Sequence, residues 1–190
     1  MDASSTDSGP GASAGGGVAS AYDPLDVLQY TPDELKAAVE AATDWGTYVA
    51  AHVYNDEGVR RAIAAGIKSI EHGHLVAGPE TVKLMADNGV WLSTQPFLEN
   101  DHEYPNPEST EKNKQVCEGV ANSFTWAREQ GANIAFGTDL MLEPEKAGLQ
   151  NQMLTRLSTH FDFKPAELGN PDKNLAVIIK DGRIYKNTLA

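Results

Sequence analysis

The chain has 190 residues, of which 41% are hydrophobic and 22% charged, an ordinary composition for one globular domain. Against 27 Asp and Glu stand 15 Lys and Arg, and the net charge of −12 excludes the basic footprint that nucleic acid or an anionic membrane surface requires. No apolar run approaches the roughly 20 residues of a membrane span. The N-terminus shows no signal peptide, so a cytoplasmic location is the default expectation, and the single Cys117 allows no intrachain disulfide.

Residues 1–20, MDASSTDSGPGASAGGGVAS, are rich in Gly and Ser and read as a flexible leader, with residues 1–15 the most mobile part. The pattern then becomes regular. Thr31-Pro32-Asp33-Glu34 is a helix start with the elements of a capping box, followed by Leu35, Ala38, Val39 and Ala42 at helical spacing as far as Gly46. A strand is expected over Thr47–His52. Asn55-Asp56-Glu57 opens a second helix that Gly66 stops, and IKSIEHG is a strand ending near Glu71. Pro79-Glu80 starts a third helix, ended by Asn88-Gly89, and VWLSTQ is a third strand. FLENDHEYPNPES reads as a long polar loop. The stretch from Thr110 to Gly131 reads as a longer helix with Val116, Val120, Phe124 and Ala127 on one face, and NIAFGTD as a fourth strand. Cys117 lies in that apolar-periodic stretch and reads as a buried, inert thiol.

Short apolar strands alternating with helices imply an α/β fold of parallel strands, buried on both faces and joined by right-handed crossovers. The tail NLAVIIKDGRIYKNT differs: two strands joined by Asp181-Gly182 are a hairpin signal. Three segments are expected: residues 1–20 as leader or loop, 21–165 as the α/β unit, and 166–190 as the C-terminal β-hairpin.

His52 ends the first expected strand, His72 the second, and Asp139 the fourth. In parallel α/β folds the functional face lies at the C-terminal ends of the strands. Taken singly, a histidine at a strand end reads as a turn residue and an Asp after Gly-Thr as a helix cap. Together on one face, two imidazoles and a carboxylate are the ligand set of a zinc-type or non-haem metal site.

The stretches HVYNDEGVRRAIAAGIKSIEHGHL, LMADNGVWLSTQPF and GANIAFGTD, in that order, resemble the second half of the amidohydrolase superfamily barrel. The nearest group is the imidazolonepropionase-like and Xaa-Pro dipeptidase-like hydrolases. GGVASAYDPLDVLQYTPDELKAAVEAA resembles the segment after that barrel's fourth strand, so the Gly-rich leader reads alternatively as a barrel loop. The resemblance implies strands 5–8 of a TIM-type (β/α)8 barrel. It implies His52 and His72 as metal ligands and Asp139 as both ligand and catalytic proton carrier. Tyr54 matches a substrate-contacting position. His74 is a candidate extra ligand but reads first as a solvated loop residue, and His102 and His160 read as surface residues.

The departures are equally definite. The His-x-His of the first barrel strand is absent, and no lysine stands near Gly11, where the fourth-strand lysine would fall. The chain therefore reads as a truncated member, a half-barrel with the last hairpin of a flanking β-domain. The expected activity is metal-dependent hydrolysis of an amide, ester or lactam bond in a small molecule. One divalent metal is implied, zinc first, with copper, iron or manganese as alternatives. A non-catalytic metal-binding or interaction remnant and an iron or copper redox enzyme are the rival readings. A half-barrel exposes unpaired strand edges, so a homo-oligomer is expected, two copies closing the barrel.

Overall fold

Every helix-to-strand connection in the regular part of the sequence carries a glycine, and in the computed structural model these glycines build one turn four times over. The structure describes residues 11–139, 144–164, 177–180 and 183–188. Gly46, Gly66, Gly89 and Gly131 all adopt left-handed backbone, with φ between 62° and 95°. After each, the next N–H reaches back to the helix's last turn: Thr47 to Ala42, Ile67 to Ala62, Val90 to Met85 and Ala132 to Ala127, at 2.9–3.1 Å. This is the Schellman closure, in which a residue without Cβ turns the chain and satisfies orphaned carbonyls.

The elements in order are β1 (Gly11–Ser13), α1 (Pro32–Asp44), β2 (Ala50–Asn55), α2 (Asp56–Ala65), β3 (Ser69–Leu75), α3 (Pro79–Asp87), β4 (Trp91–Thr94), α4 (Pro107–Glu129), β5 (Asn133–Phe136) and α5 (Gln150–Thr159). The first five strands form one parallel sheet in the order β1-β2-β3-β4-β5, the sequential order of a (β/α) barrel segment. β6 (Val177–Lys180) and β7 (Arg183–Asn187) pair antiparallel in a sheet of their own, and Asp181-Gly182 lies outside the described residues.

Two departures from the sequence reading bear on the site. β1 occupies the Gly-rich segment and pairs in register with β2, Ser13 opposite His52, so from Gly11 onward that segment is strand and barrel loop rather than a leader. Its glycines serve close packing: a Cβ on Gly16 would overlap the Pro24 carbonyl oxygen. Residues 1–10, with the expected mobility there, lie outside the described residues. Secondly, the strands sit further along the chain than expected. The Schellman turn uses Thr47, so β2 runs over 50–55 with His52 inside it, and β3 runs on to Leu75, taking in both His72 and His74.

Helix starts follow their caps. Thr31 Oγ1 accepts from Glu34 N (3.4 Å) while Glu34 Oε2 accepts from Thr31 N (2.9 Å). α4 begins three residues before the expected Thr110, because Asn106 caps it through Ser109 N (2.7 Å) and Pro107 fits the first turn.

Two apolar clusters flank the sheet. The outer one joins Val53, Ile70 and Leu92 of the strands to Val59, Ile63, Val82 and Met85 of α2 and α3. The inner one gathers Tyr54 and Phe97 with Val116, Val120 and Phe124 of α4 and Met153 and Leu157 of α5.

α4 approaches β3 at one point with no tolerance, since a Cβ on Gly119 would overlap the His74 carbonyl oxygen. Gly119→Ala should therefore cost about 1–3 kcal/mol of overpacking and lower Tm by about 3–10 °C, read by calorimetry. Gly148→Ala, facing open space, should leave Tm essentially unchanged.

Candidate active site

Strand alternation assigns the faces. On β2, Ala51 and Val53 enter the outer cluster, which sends His52 and Tyr54 to the inner side. On β3, Ile70 is also in the outer cluster, so strict alternation would send His72 outward with it. A bulge prevents this. His72 has φ 79° and Gly73 φ 62°, and the pairing slips by one residue, from Val53 opposite His72 to Asn55 opposite Leu75. The His72 ring then meets His52 with centroids 4.5 Å apart at 80°, and stacks on Tyr54 at 4.4 Å and 20°.

Helix α4 secures the bulge. Ser123 Oγ lies 3.2 Å from the carbonyl oxygens of Gly73, His74 and Gly119, to one of which its hydroxyl donates, and Gly119 lets the helix backbone close on His74. A Cβ on Gly73 would press into Leu92 Cδ1 at 2.7 Å, a second reason for glycine there.

His72 is 5% exposed and its Nδ1 is buried with no hydrogen-bond partner. Burial first, then the neighbouring His74 and His52, push its pKa well below the ordinary imidazole value, so the ring is neutral, the form in which histidine ligates a metal. His52 donates from Nε2 to the Gly16 carbonyl (3.1 Å); the carbonyl can only accept, so Nε2 carries a proton, and in the neutral tautomer that this selects Nδ1 is the lone-pair nitrogen. Asp139 follows β5 with φ 50°, a second non-glycine residue in left-handed backbone, and such strain gathers at functional sites. Although Asp139 is exposed as a residue, desolvation of its carboxyl raises its pKa and outweighs the opposing pull of His52 and His102. Tyr54 is buried, and desolvation followed by Asp139 and Tyr104 raises its pKa.

His52, Tyr54, His72 and Asp139 all line one cavity of about 550 Å³. Four sequence readings are settled here. His74 is not solvated: the bulge leaves it 1% exposed, with Nε2 donating to the Gln95 carbonyl (3.2 Å) and Nδ1 unpartnered. His102 is not a plain surface residue either, for it meets Phe97 edge-on at 5.1 Å and lines the cavity with Tyr104. No motif announces it, because the loop after β4 delivers it. That loop is fixed by a bidentate pair between Arg156 of α5 and Asp101 (Nη2–Oδ1 2.7 Å). His160 is exposed, as expected. Cys117 is half-buried, and burial pushes its thiol up to about 11, an inert group.

As a metal site the arrangement fits in part. Two imidazoles from adjacent strands, one with an orphaned nitrogen, suit a divalent ion, and Asp139 opens into the same cavity. Among the described residues, however, no three His, Cys, Asp or Glu side chains stand close enough to hold an ion without rearrangement.

A family model for the amidohydrolase family matches residues 7–175, and the chain belongs to that family. It is 35% identical over 131 residues to ochratoxinase of Aspergillus niger, covering 66% of this chain and 27% of that protein. The crystal structure of A. niger ochratoxinase superposes with a TM-score of 0.70 at 30% identity, over 83% of this chain and 35% of the other. A crystal structure described as an amidohydrolase gives 0.74 at 28% identity, covering 95% and 54%. A prolidase complexed with N-methylphosphonate-L-proline gives 0.63 at 34%, covering 68% and 33%. The chain thus spans about a quarter of that curated relative's length and a third to a half of the length of these solved chains.

The buried histidines have a measurable consequence. His74 has its pKa lowered by burial to about 4, below the ordinary value of 6.5. A folded-state pKa lower than the unfolded one gives stability that is complete above the unfolded value and lost as pH falls toward the folded value. Between pH 6.5 and 4 His74 should therefore cost about 3 kcal/mol, and His72 acts in the same direction. Urea unfolding in chelator at stepped pH should show this decline, and His74→Leu should flatten it. Parallel profiles for the two proteins would contradict the assignment.

Proposed function

We propose that the chain carries a hydrolytic site of amidohydrolase type that cleaves an amide, ester or lactam bond of a small molecule. His52, His72 and Asp139 would hold one divalent metal, zinc first. The observation that carries this reading is the meeting of His52 and His72 at 4.5 Å, obtained only by bending β3 into left-handed backbone. When bound, such an ion supplies hydroxide at neutral pH by lowering the pKa of water from about 15.7 to near 7.

The remaining work falls to the chain's own groups. Gly16 fixes the His52 tautomer, leaving Nδ1 as the donor atom. His72 is held neutral by burial, with its ring pinned against Tyr54. The Asp139 carboxylate accepts the proton of the attacking water and returns it to the leaving nitrogen or oxygen. Its raised pKa suits the accepting half of that exchange, because a carboxylate of higher pKa is the stronger base. The Tyr54 hydroxyl stays protonated, fit to donate a hydrogen bond to a substrate oxygen.

Metal content and hydrolysis, measured together, test this reading. His52→Ala and His72→Ala should lose both. Asp139→Asn should keep more metal than activity, with a loss of about 100-fold or more in rate. His160→Ala should alter neither. Unchanged metal content in all the site variants would leave the non-catalytic remnant as the better reading.

We also propose a homodimer or larger oligomer. β1 and β5 are the edges of the parallel sheet among the described residues, and β5 leaves Phe136 39% exposed. Light scattering at micromolar concentration should give at least twice 20.4 kDa, and a clean 20.4 kDa monomer would contradict it.

A further inference from the structure

The loop joining β1 to α1 is held from a distant part of the chain. Lys112, in the first third of α4, reaches across the cavity rim and places Nζ 3.0 Å from Gly17 O, 2.6 Å from Ser20 O and 2.6 Å from Asp23 O. An ammonium has three donors and no acceptor, so three converging carbonyls satisfy it fully. The loop is closed on itself as well. Gly17 N donates to Asp23 O (3.3 Å), Gln29 Nε2 donates to Asp23 Oδ1 (2.8 Å), and Gly16 is packed against the Pro24 carbonyl so tightly that no Cβ fits. Lys112 ties this loop to α4 through the three carbonyls.

The carbonyl immediately before the first of these acceptors, Gly16 O, is the one that receives the His52 Nε2 proton. We propose that Lys112 is a positioning residue for the hydrolytic site: by tying residues 17–23 to α4, it aims the Gly16 carbonyl at His52 and so sets which imidazole nitrogen of His52 carries the proton. The function of His52 rests on the reading above, whereas the Lys112–loop–His52 linkage does not. Without Lys112, three carbonyls must find water, the loop gains freedom to shift, and His52 loses the acceptor that selects its tautomer. A ring free to exchange tautomers presents Nδ1 as a lone pair only part of the time. Outer-sphere partners of this kind change metal affinity by about 10–100-fold.

The experiment uses the full 190-residue chain with 15N-labelled histidine, at pH 8 in chelator, reading ring nitrogens by long-range 15N–1H correlation. The wild type should show His52 as the Nε2–H tautomer. In Lys112→Met the two His52 nitrogens should move toward averaged positions while those of His72 and His74 stay in place, and butylamine added to Lys112→Ala should return the His52 pattern. Zinc affinity, measured by competition with a chelating dye, should fall about 10–100-fold in Lys112→Met. Should Lys112→Met fail to fold, Lys112→Arg keeps the charge and the apolar stem, and its planar fork cannot serve three converging carbonyls. It should displace the His52 signals alone. A His52 tautomer identical to wild type in the folded variant overturns the proposal, and so does equal displacement of all three histidines. Failure of the wild type to bind zinc would overturn the hydrolase reading and leave the tautomer result to decide on Lys112.

Discussion

The left-handed kink at His72-Gly73 is the constraint on which the site depends. A parallel strand buried on both faces sends alternate side chains to opposite sides. In β3 that rule would put His72 among the outer aliphatic residues and away from His52. Two consecutive residues with positive φ and a one-residue slip against β2 reverse its direction. A non-glycine residue in such backbone costs about 1–3 kcal/mol and persists only when its surroundings over-determine it. Here they do: Leu92 leaves no room for a Cβ at Gly73, the Ser123 hydroxyl sits against the bulge carbonyls, and Gly119 allows α4 to lie directly on His74.

From that kink the electrostatics follow. Two imidazoles, His72 and His74, are buried with one ring nitrogen each left without a partner, a combination that a protein core avoids unless something else compensates. Burial keeps both rings neutral, which suits metal ligation and disfavours a salt-bridge role. The cavity that His72 reaches is lined by the rings of Tyr54, Phe97 and Tyr104 and by the Gly-rich loop. The apolar wall lowers the local dielectric and strengthens any charge interaction made inside. The chain belongs to the amidohydrolase family, and the solved structures similar to it include a prolidase and an ochratoxinase.

Much of the architecture was legible in the sequence because its cues are local. The Thr31–Glu34 capping box, the Asn55 cap and the four turn glycines each act within a few residues, so elements and their alternation could be read directly. What escaped needed information from elsewhere in the chain. β1 was hidden because glycines that permit close packing look the same, in composition, as glycines that confer flexibility. His74 reads as solvated in the sequence because period-two reasoning cannot foresee a bulge secured by the helix lying across it. His102 has no motif, and the loop that carries it is positioned by Arg156, more than fifty residues further on. That His52 and His72 fall on adjacent strands was readable, whereas the bulge that turns His72 toward His52 was not. The placement of Asp139 was readable in part: it shares their cavity without completing a cluster of three.

The central proposal is that the bend in β3 turns His72 toward His52 of β2, so that the two imidazoles hold one metal ion. X-ray absorption at the zinc edge, on protein carrying one equivalent of zinc, tests it most directly. The account predicts two imidazole ligands at about 2.0–2.1 Å, recognisable by ring multiple scattering, with oxygen donors completing the shell. A spectrum with no imidazole scattering, resembling hydrated or carboxylate-bound zinc, would contradict it.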